Sequence, residues 1–202
     1  MTVQSDYESS PVVLKPGDTV IDCGAHVGVF CRYALRRGAK RVIAIEPDPT
    51  NIACLEANLA REIVAGSVTV VKAGVWSQRG YLTLSHVSQN SAMDSFVLNP
   101  PNSEKISGVP VFTLDEIIEE LQLEHVDFIK MDIEGAERRA LQGASQTFIK
   151  FRPRLAIASY HLPDDPRAIA AVVQKAEPRY EVHAKDVELT YGRLAPKVLF
   201  FH

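Results

Sequence analysis

Short apolar runs recur along the chain at Thr19–Asp22, Arg41–Glu46, Ser67–Lys72, Val126–Asp132 and Arg154–Tyr160, and each reads as a strand. Helical spacing fills the intervals. One helix is expected to start near Gly28 and run through Phe30, Tyr33, Ala34 and Leu35 to an Arg36-Arg37-Gly38 end, whose basic residues and glycine suit a C-terminus. A second covers Thr50–Arg61, with Pro49 at its start and Ile52, Leu55 and Leu59 inward. Further helices are expected over Leu114–Leu121 with Thr113 as cap, over Ala136–Lys150, and over about 164–176. Strands alternating with crossover helices predict an α/β fold, a doubly wound and mostly parallel sheet with helices on both faces.

Two segments depart from that alternation. Tyr180–Ala184 and Lys197–His202 are strand-like, but Lys185–Pro196 between them is too short and too polar for a typical crossover helix, so an antiparallel edge hairpin is expected at the C-terminus. Gly80–Ser85 and Val109–Thr113 are also strand-like, while 86–108 is rich in Asn, Ser and Pro and reads as a long surface loop on the substrate side. Residues 1–13 form a short lead-in before the Lys15–Asp18 turn.

Composition narrows the functional classes. With 202 residues, 46% of them hydrophobic, the chain can bury one sizeable core, and one domain over 1–202 is expected. A net charge of −3 argues against a large nucleic-acid surface. No run approaches the ~18 apolar residues of a membrane span, and the first residues lack a secretory pattern, so a cytoplasmic protein without membrane contact is expected. Cys23, Cys31 and Cys54 have no metal-binding spacing and read as packing residues.

The chemistry begins at Val20-Ile-Asp-Cys-Gly-Ala-His-Val-Gly-Val-Phe30, a strand that breaks at Gly24 and turns into a helix at Gly28. The glycines permit backbone angles that other residues resist and leave no Cβ to hold a ligand away; N–H groups at the helix start would favour an electronegative group. Asp22 could accept from an amine or a water, and Glu46, at the end of the next strand, could take both hydroxyls of a ribose. A dinucleotide site wants G-x-G-x-x-G, whereas this chain has D-x-G-x-x-x-G, a spacing better suited to S-adenosylmethionine, which has no phosphate. Downstream, Asp132, Glu134 and Glu137 crowd the end of the Val126–Asp132 strand, and Ser159-Tyr160-His161 ends the next. Ligands gather outside such strand ends, so these carboxylates are expected near Asp22 and Gly24. They could hold a divalent metal, form a general base with its orienting partners, or be a solvated helix start; His161 supplies a candidate partner. Hard carboxylates suit Mg²⁺ or Ca²⁺, but no dedicated ligand spacing is present and no metal is assigned.

The combination V-I-D-C-G-A-H-V-G-V-F, I-E-P-D-P, T-L-D-E-I, D-F-I-K-M-D-I-E-G-A-E and R-P-R-L-A-I-A-S-Y-H resembles the FkbM family of S-adenosylmethionine-dependent methyltransferases over roughly residues 14–202. The resemblance implies the seven-stranded, Rossmann-like class I methyltransferase fold and O-methylation of a natural product or sugar. By position it implies that Asp22, Gly24, Ala25 and Gly28 line the methionine end of the cofactor, that Glu46 takes the ribose, that Asp48 and Gly74-Val75 sit by the adenine, and that Asp132 closes the cleft. His26 stands where the family usually carries asparagine, so it could titrate and make binding pH-sensitive. The brief lead-in leaves the 86–108 loop, or a second subunit of a homodimer, to cover the substrate.

Methyl transfer is an in-line displacement to which positioning contributes on the order of 7 kcal/mol or more. A base helps if the acceptor is a hydroxyl, and His161, Asp132 and Glu134 are the candidates, with Glu137 orienting. The rivals are a nicotinamide-dependent oxidoreductase and a non-catalytic cofactor-binding module.

Overall fold

A computed structural model describes residues 6–88, 90–190 and 192–202. The first five residues of the lead-in, Gln89 of the expected loop and Tyr191 of the C-terminal connection lie outside them. The strands are β1 (Thr19–Cys23), β2 (Arg41–Ile45), β3 (Val68–Val71), β4 (Gly74–Val75), β5 (Gly80–His86), β6 (Glu104–Phe112), β7 (Phe128–Met131), β8 (Arg154–Ala158), β9 (Val182–Thr190) and β10 (Arg193–Phe201). The helices are α1 (Val29–Arg36), α2 (Pro49–Asn58), α3 (Ala60–Val64), α4 (Leu114–Glu120), α5 (Glu137–Gln142), α6 (Ser145–Phe151) and α7 (Asp165–Ala176).

Seven strands form one sheet in the order β3-β2-β1-β7-β8-β10-β9, parallel except for β10, which runs antiparallel to both β8 and β9. This is the expected doubly wound sheet with its antiparallel edge. Successive residues of the inner strands serve opposite faces, as the strand period requires. Val20, Val42, Phe128 and Ala156 join Phe30 and Ala34 of α1, Leu55 of α2 and Leu59 just after it. Ile21, Ile43, Ile129 and Ile157 join Ile117, Leu141, Phe148 and Ile169 of α4–α7. The chain winds outward from β1 to β3 and then returns to place β7 beside β1. The carboxyl ends of β1 and β7 therefore flank the switch point, where a crevice opens because neighbouring crossovers leave in opposite directions.

The polar segments deviate most from expectation. The expected loop 86–108 is shorter at both ends: β5 runs to His86, and β6 begins at Glu104 and pairs antiparallel with β5 in a second sheet ordered β4-β6-β5, leaving 87–103 between the two strands. The start of β6 is largely exposed, so its ladder forms without the apolar run that marks a buried strand. The C-terminal hairpin is longer than expected for the same reason. Leu194 pairs with Leu189 and Pro196 with Val187, so the polar connection is itself a two-stranded ribbon extending past β8, which reaches only Val198–Phe201 of β10.

Two expected helices are each divided. Thr50–Arg61 becomes α2 and α3, and Ala136–Lys150 becomes α5 and α6 with Gly143 at the break. A Cβ at Gly143 would lie 2.4 Å from the Trp76 carbonyl oxygen, and the Gly143 carbonyl accepts from Asp115 N–H at 3.0 Å. Thr113 and Glu116 form the reciprocal cap of α4, and the Asp115 carboxylate accepts from Gln146 and Thr147 N–H at the start of α6. Cys23 and Cys31 are buried as expected, but Cys54 is exposed and does not pack. Among the described residues no helix is long and apolar enough to cross a membrane.

The break at Gly143 carries a stability prediction. Gly143→Ala forces a methyl against a backbone oxygen and is expected to destabilise the protein by about 1–3 kcal/mol in urea unfolding, with no compensating gain from helix propensity. An unchanged midpoint would show that the contact can relax.

Candidate active site

The turn after β1 is held by its neighbours. The N–H groups of Gly24 and Ala25 both donate to Ile45 O, at 3.0 and 3.1 Å, His26 N–H donates to Glu46 Oε2 at 2.8 Å, and Gly28 N–H to Ala25 O. The first three of these bonds tie the turn to the end of β2, and the Gly28 N–H, at the cap of the helix, is taken up within the turn and does not face a ligand. Nor is the absent Cβ of Gly24 a gap for a ligand. It would lie 2.0 Å from Asp132 O, so the glycine exists because β7 runs against it. At Gly28, φ 87°, a Cβ would meet Leu59. His26 has φ 49°, a left-handed angle that histidine shares with asparagine and aspartate more readily than with other residues.

A cleft of about 490 Å³ opens over this turn. Of the residues assigned to the cofactor from sequence, Gly24, Ala25, His26, Glu46, Gly74, Val75 and Asp132 line it. Asp22, Gly28 and Asp48 do not. Asp22 is fully buried, with Lys130 Nζ 3.1 Å from one oxygen and the Cys31 thiol donating to the other. Asp48 is fully buried, caps α2 through Thr50 and Asn51 N–H, and faces His86 Nδ1 at 3.2 Å. Glu46 accepts from the N–H groups of His26 and Asp48 and from Asn51 Nδ2. Burial nevertheless prevails and pushes its carboxyl above the usual range, so added hydroxyl donors from a ligand would relieve an under-solvated carboxylate.

Over the cleft lies the 87–103 segment. Ser91 donates to Asn51 Oδ1 and lies 3.1 Å from His26 Nε2, and Phe96 fills the space where Gly74 lacks a Cβ. Ser95 donates to Glu134 O. At its root His86 Nδ1 faces Asp94 at 2.9 Å as well as Asp48, and its hydrogen bond to Asp94 raises its pKa.

The acidic wall comes from the end of β7. Asp132 and Glu134 line the cleft, while Glu137, fully buried, and His161, 4% exposed, stand behind them. His161 Nε2 lies 3.4 Å from Asp132 Oδ1 and 3.3 Å from Glu134 Oε1; Nδ1 lies 3.1 Å from Glu137 Oε1, which also accepts from Ile133 N–H. Burial opposes charge on this imidazole. The bonds and charges of Glu134 and Glu137 outweigh it and raise the pKa to about 11. His161 is therefore an imidazolium at neutral pH, a group that has no lone pair with which to take a proton. An imidazolium cannot accept a proton, and the other two candidate bases, Asp132 and Glu134, both line the cleft.

Two wall residues escaped the sequence reading. Lys130 is 5% exposed, donates to Gly24 O at 2.8 Å and lines the cleft; its signal was a lone charge inside the apolar run Phe128–Met131. Tyr7 also lines the cleft and donates to Asp132 Oδ2 at 2.5 Å across 125 residues of sequence, a contact with no local signal.

Comparison with known proteins matches a family model described as Methyltransferase FkbM domain over residues 22–182. A curated relative, the 31-O-demethyl-FK506 methyltransferase FkbM of Streptomyces tacrolimicus, is 30% identical over 164 residues, which is 68% of this chain and 63% of the relative. A crystal structure of Methyltransferase FkbM from Methylobacillus flagellatus KT superposes with a TM-score of 0.70 at 25% identity, over 96% of this chain and 46% of that one. An Aeropyrum pernix fibrillarin with natively bound S-adenosyl-L-methionine shares the fold, with a TM-score of 0.52 at 13% identity over 93% of this chain and 66% of that one. The chain spans less than two thirds of the length of each of these proteins. The sheet is that of the class I methyltransferases.

The charged state of His161 can be tested directly. Its folded pKa of about 11 lies above the ordinary 6.5, so its contribution to stability is fully present below pH ~6.5 and is lost as pH rises through ~11. His161→Asn is expected to cost about 3 kcal/mol or more at pH 6, as breaking a buried ion pair does, with the deficit shrinking toward pH 11. The ring resonances of His161 are expected to stay flat between pH 5 and 9; a titration near 6.5 would return the imidazole to the list of bases.

Proposed function

The chain belongs to the FkbM methyltransferase family, and from that premise we propose that it transfers a methyl group from S-adenosylmethionine to a hydroxyl of a small molecule, with Asp132 as the base. The observation that carries this reading is the placement of Asp132: a carboxylate lining the cleft, with Oδ1 turned toward His161 and Oδ2 already accepting a hydroxyl from Tyr7, in a cleft that the desolvated carboxylate of Glu46 also lines. Family membership sets the oxidoreductase alternative aside.

The residues present fit the cofactor. Glu46 is suited to the two ribose hydroxyls, Gly74 and Val75 offer an apolar floor for the adenine, and the Gly24–His26 turn borders the methionine end. Asp22, Gly28 and Asp48 support these positions from behind the wall. When bound, S-adenosylmethionine supplies a sulfonium methyl and a neutral thioether leaving group.

Asp132 accepts the proton of the acceptor hydroxyl as its oxygen bonds to the methyl carbon and the carbon–sulfur bond breaks. His161 holds Asp132 and Glu134 from behind with its positive charge, and Glu137 orients His161 through Nδ1. Glu137 and His161 are thus positioning residues. The 87–103 segment and the apolar walls keep water from the reacting groups, which strengthens every electrostatic contact inside.

Two variants separate the roles. Glu46→Gln is expected to weaken S-adenosylhomocysteine binding by about 10-fold or more in calorimetry, the value of a hydrogen bond to a charged group. Asp132→Asn is expected to leave that affinity within about twofold but to lower turnover about 10²-fold or more, measured with labelled S-adenosylmethionine and a panel of hydroxylated acceptors. Undiminished turnover in Asp132→Asn would sink the assignment of the base.

A further inference from the structure

We infer that the acceptor carries its hydroxyl on a flat aromatic ring, and that this ring takes the seat Tyr7 occupies in the resting chain. The inference rests on the methyltransferase reading of the cleft. Tyr7 reproduces the encounter that a base and a phenolic acceptor must make, because its hydroxyl donates to Asp132 Oδ2 at 2.5 Å. Its ring meets the edge of Phe30 at a centroid distance of 5.8 Å and an interplanar angle of 80°. Phe30 is itself stacked on Phe128 of β7, at 6.2 Å. The ammonium of Lys130 lies 5.3 Å from the centroid of the Tyr7 ring, within cation–π range. Base, aromatic wall and cation are therefore arranged around one six-membered ring. An aliphatic alcohol would use the base and leave the other two contacts without value.

Tyr7 is a stand-in and not a reactant. Burial, together with the negative charge of Asp132, pushes its hydroxyl far above the ordinary tyrosine range, so it keeps its proton. A more acidic phenol in the same seat can give its proton to Asp132 while its oxygen gains the methyl group and S-adenosylhomocysteine leaves.

The strap that brings Tyr7 in is tied on both sides of that residue. Glu8, directly after it, is buried, accepts from Leu14 N–H at 2.7 Å and from the Tyr33 hydroxyl, and pairs with Arg37 at 3.6 Å. Asp6, directly before it, pairs with Lys197 at 3.1 Å, with the Asp6 side chain 59% and the Lys197 side chain 37% exposed. Such exposed pairs are worth about 0–1 kcal/mol. Glu8 is the anchored point about which the ring would swing. The family model begins at residue 22, so the seat belongs to the family domain and its resident comes from ahead of it.

The test compares the parent protein with Tyr7→Phe and Tyr7→Ala, saturated with S-adenosylhomocysteine, using 4-nitrophenol as the binding probe and cyclohexanol as the non-aromatic control. Emptying the seat in Tyr7→Ala is expected to tighten 4-nitrophenol binding about 10-fold or more, with Tyr7→Phe between it and the parent, because the phenylalanine ring competes without the hydrogen bond. Transfer of label from S-adenosylmethionine to catechol is expected to rise in the same order, and adding Asp132→Asn to abolish the rise. Should Tyr7→Ala fail to fold, the gain in Tyr7→Phe decides. The inference is overturned if phenol affinity does not respond to Tyr7 while S-adenosylhomocysteine binds normally, or if cyclohexanol gains as much as 4-nitrophenol. Failure of the parent to bind S-adenosylhomocysteine would overturn the methyltransferase reading itself, a result separable from the other two.

Discussion

A buried lysine facing a buried aspartate is the constraint on which this cleft depends. Lys130 of β7 and Asp22 of β1 are direct partners across adjacent parallel strands, 3.1 Å apart and both shielded from water. Taking two charges out of water costs several kcal/mol per ion, which is repaid only when geometry and further hydrogen bonds are good; losing one partner of such a pair costs about 3–5 kcal/mol. Here the ammonium also donates to Gly24 O, and the Asp22 carboxylate accepts the Cys31 thiol of α1. Burial lowers the Lys130 pKa, but Asp22 and Asp132 more than reverse that, so the lysine stays charged. The pair thus ties β1, β7, α1 and the glycine turn into one junction. Because Gly24 has no Cβ, Asp132 O can pass close against it, and Asp132 N–H bonds to Cys23 O at 3.1 Å.

Around that junction the charges are sorted by depth. Asp132 and Glu134 face the cleft, while His161 and Glu137 lie behind and meet no bulk solvent. An isolated histidine so deeply buried would be neutral, since desolvation disfavours its cation. Glu134 and Glu137 reverse this, and in return the imidazolium offsets part of their mutual repulsion. Asp165 supports the arrangement by accepting from Leu162 N–H at 2.7 Å, just after His161, and from the Arg138 side chain. The charges of Glu134 and Glu137 thereby favour the cationic form of a histidine that the sequence offered as one of three candidate bases.

The second sheet gives the cleft its other wall. Ser85 of β5 pairs with Ser95 midway along the 87–103 segment, and Asp48, His86 and Asp94 converge at its root. Phe96 packs onto Gly74 and Trp76, so the floor at Gly74-Val75 and the cover above it form one packed unit. Asp48 joins this unit to α2 by capping that helix, which explains why a residue absent from the cleft wall still bears on its shape.

What the sequence determined is what local rules govern. Buried strands announce themselves by apolar runs, because a strand covered on both faces has few positions for polar side chains; the Gly24 turn and the acids ending β2 and β7 follow from strand-end chemistry; the Thr113 cap follows from spacing alone. Where an element meets water, as in the start of β6 and the distal β9–β10 ribbon, the apolar signal vanishes and the pairing partner decides. The same limit applies to the site. That Gly24 serves Asp132 O more than a ligand, that Asp22 answers Lys130, that His161 is charged, and that Tyr7 reaches Asp132 were set only when distant segments met. Contact and charge state at those positions depend on distance and desolvation, which residue order alone does not encode.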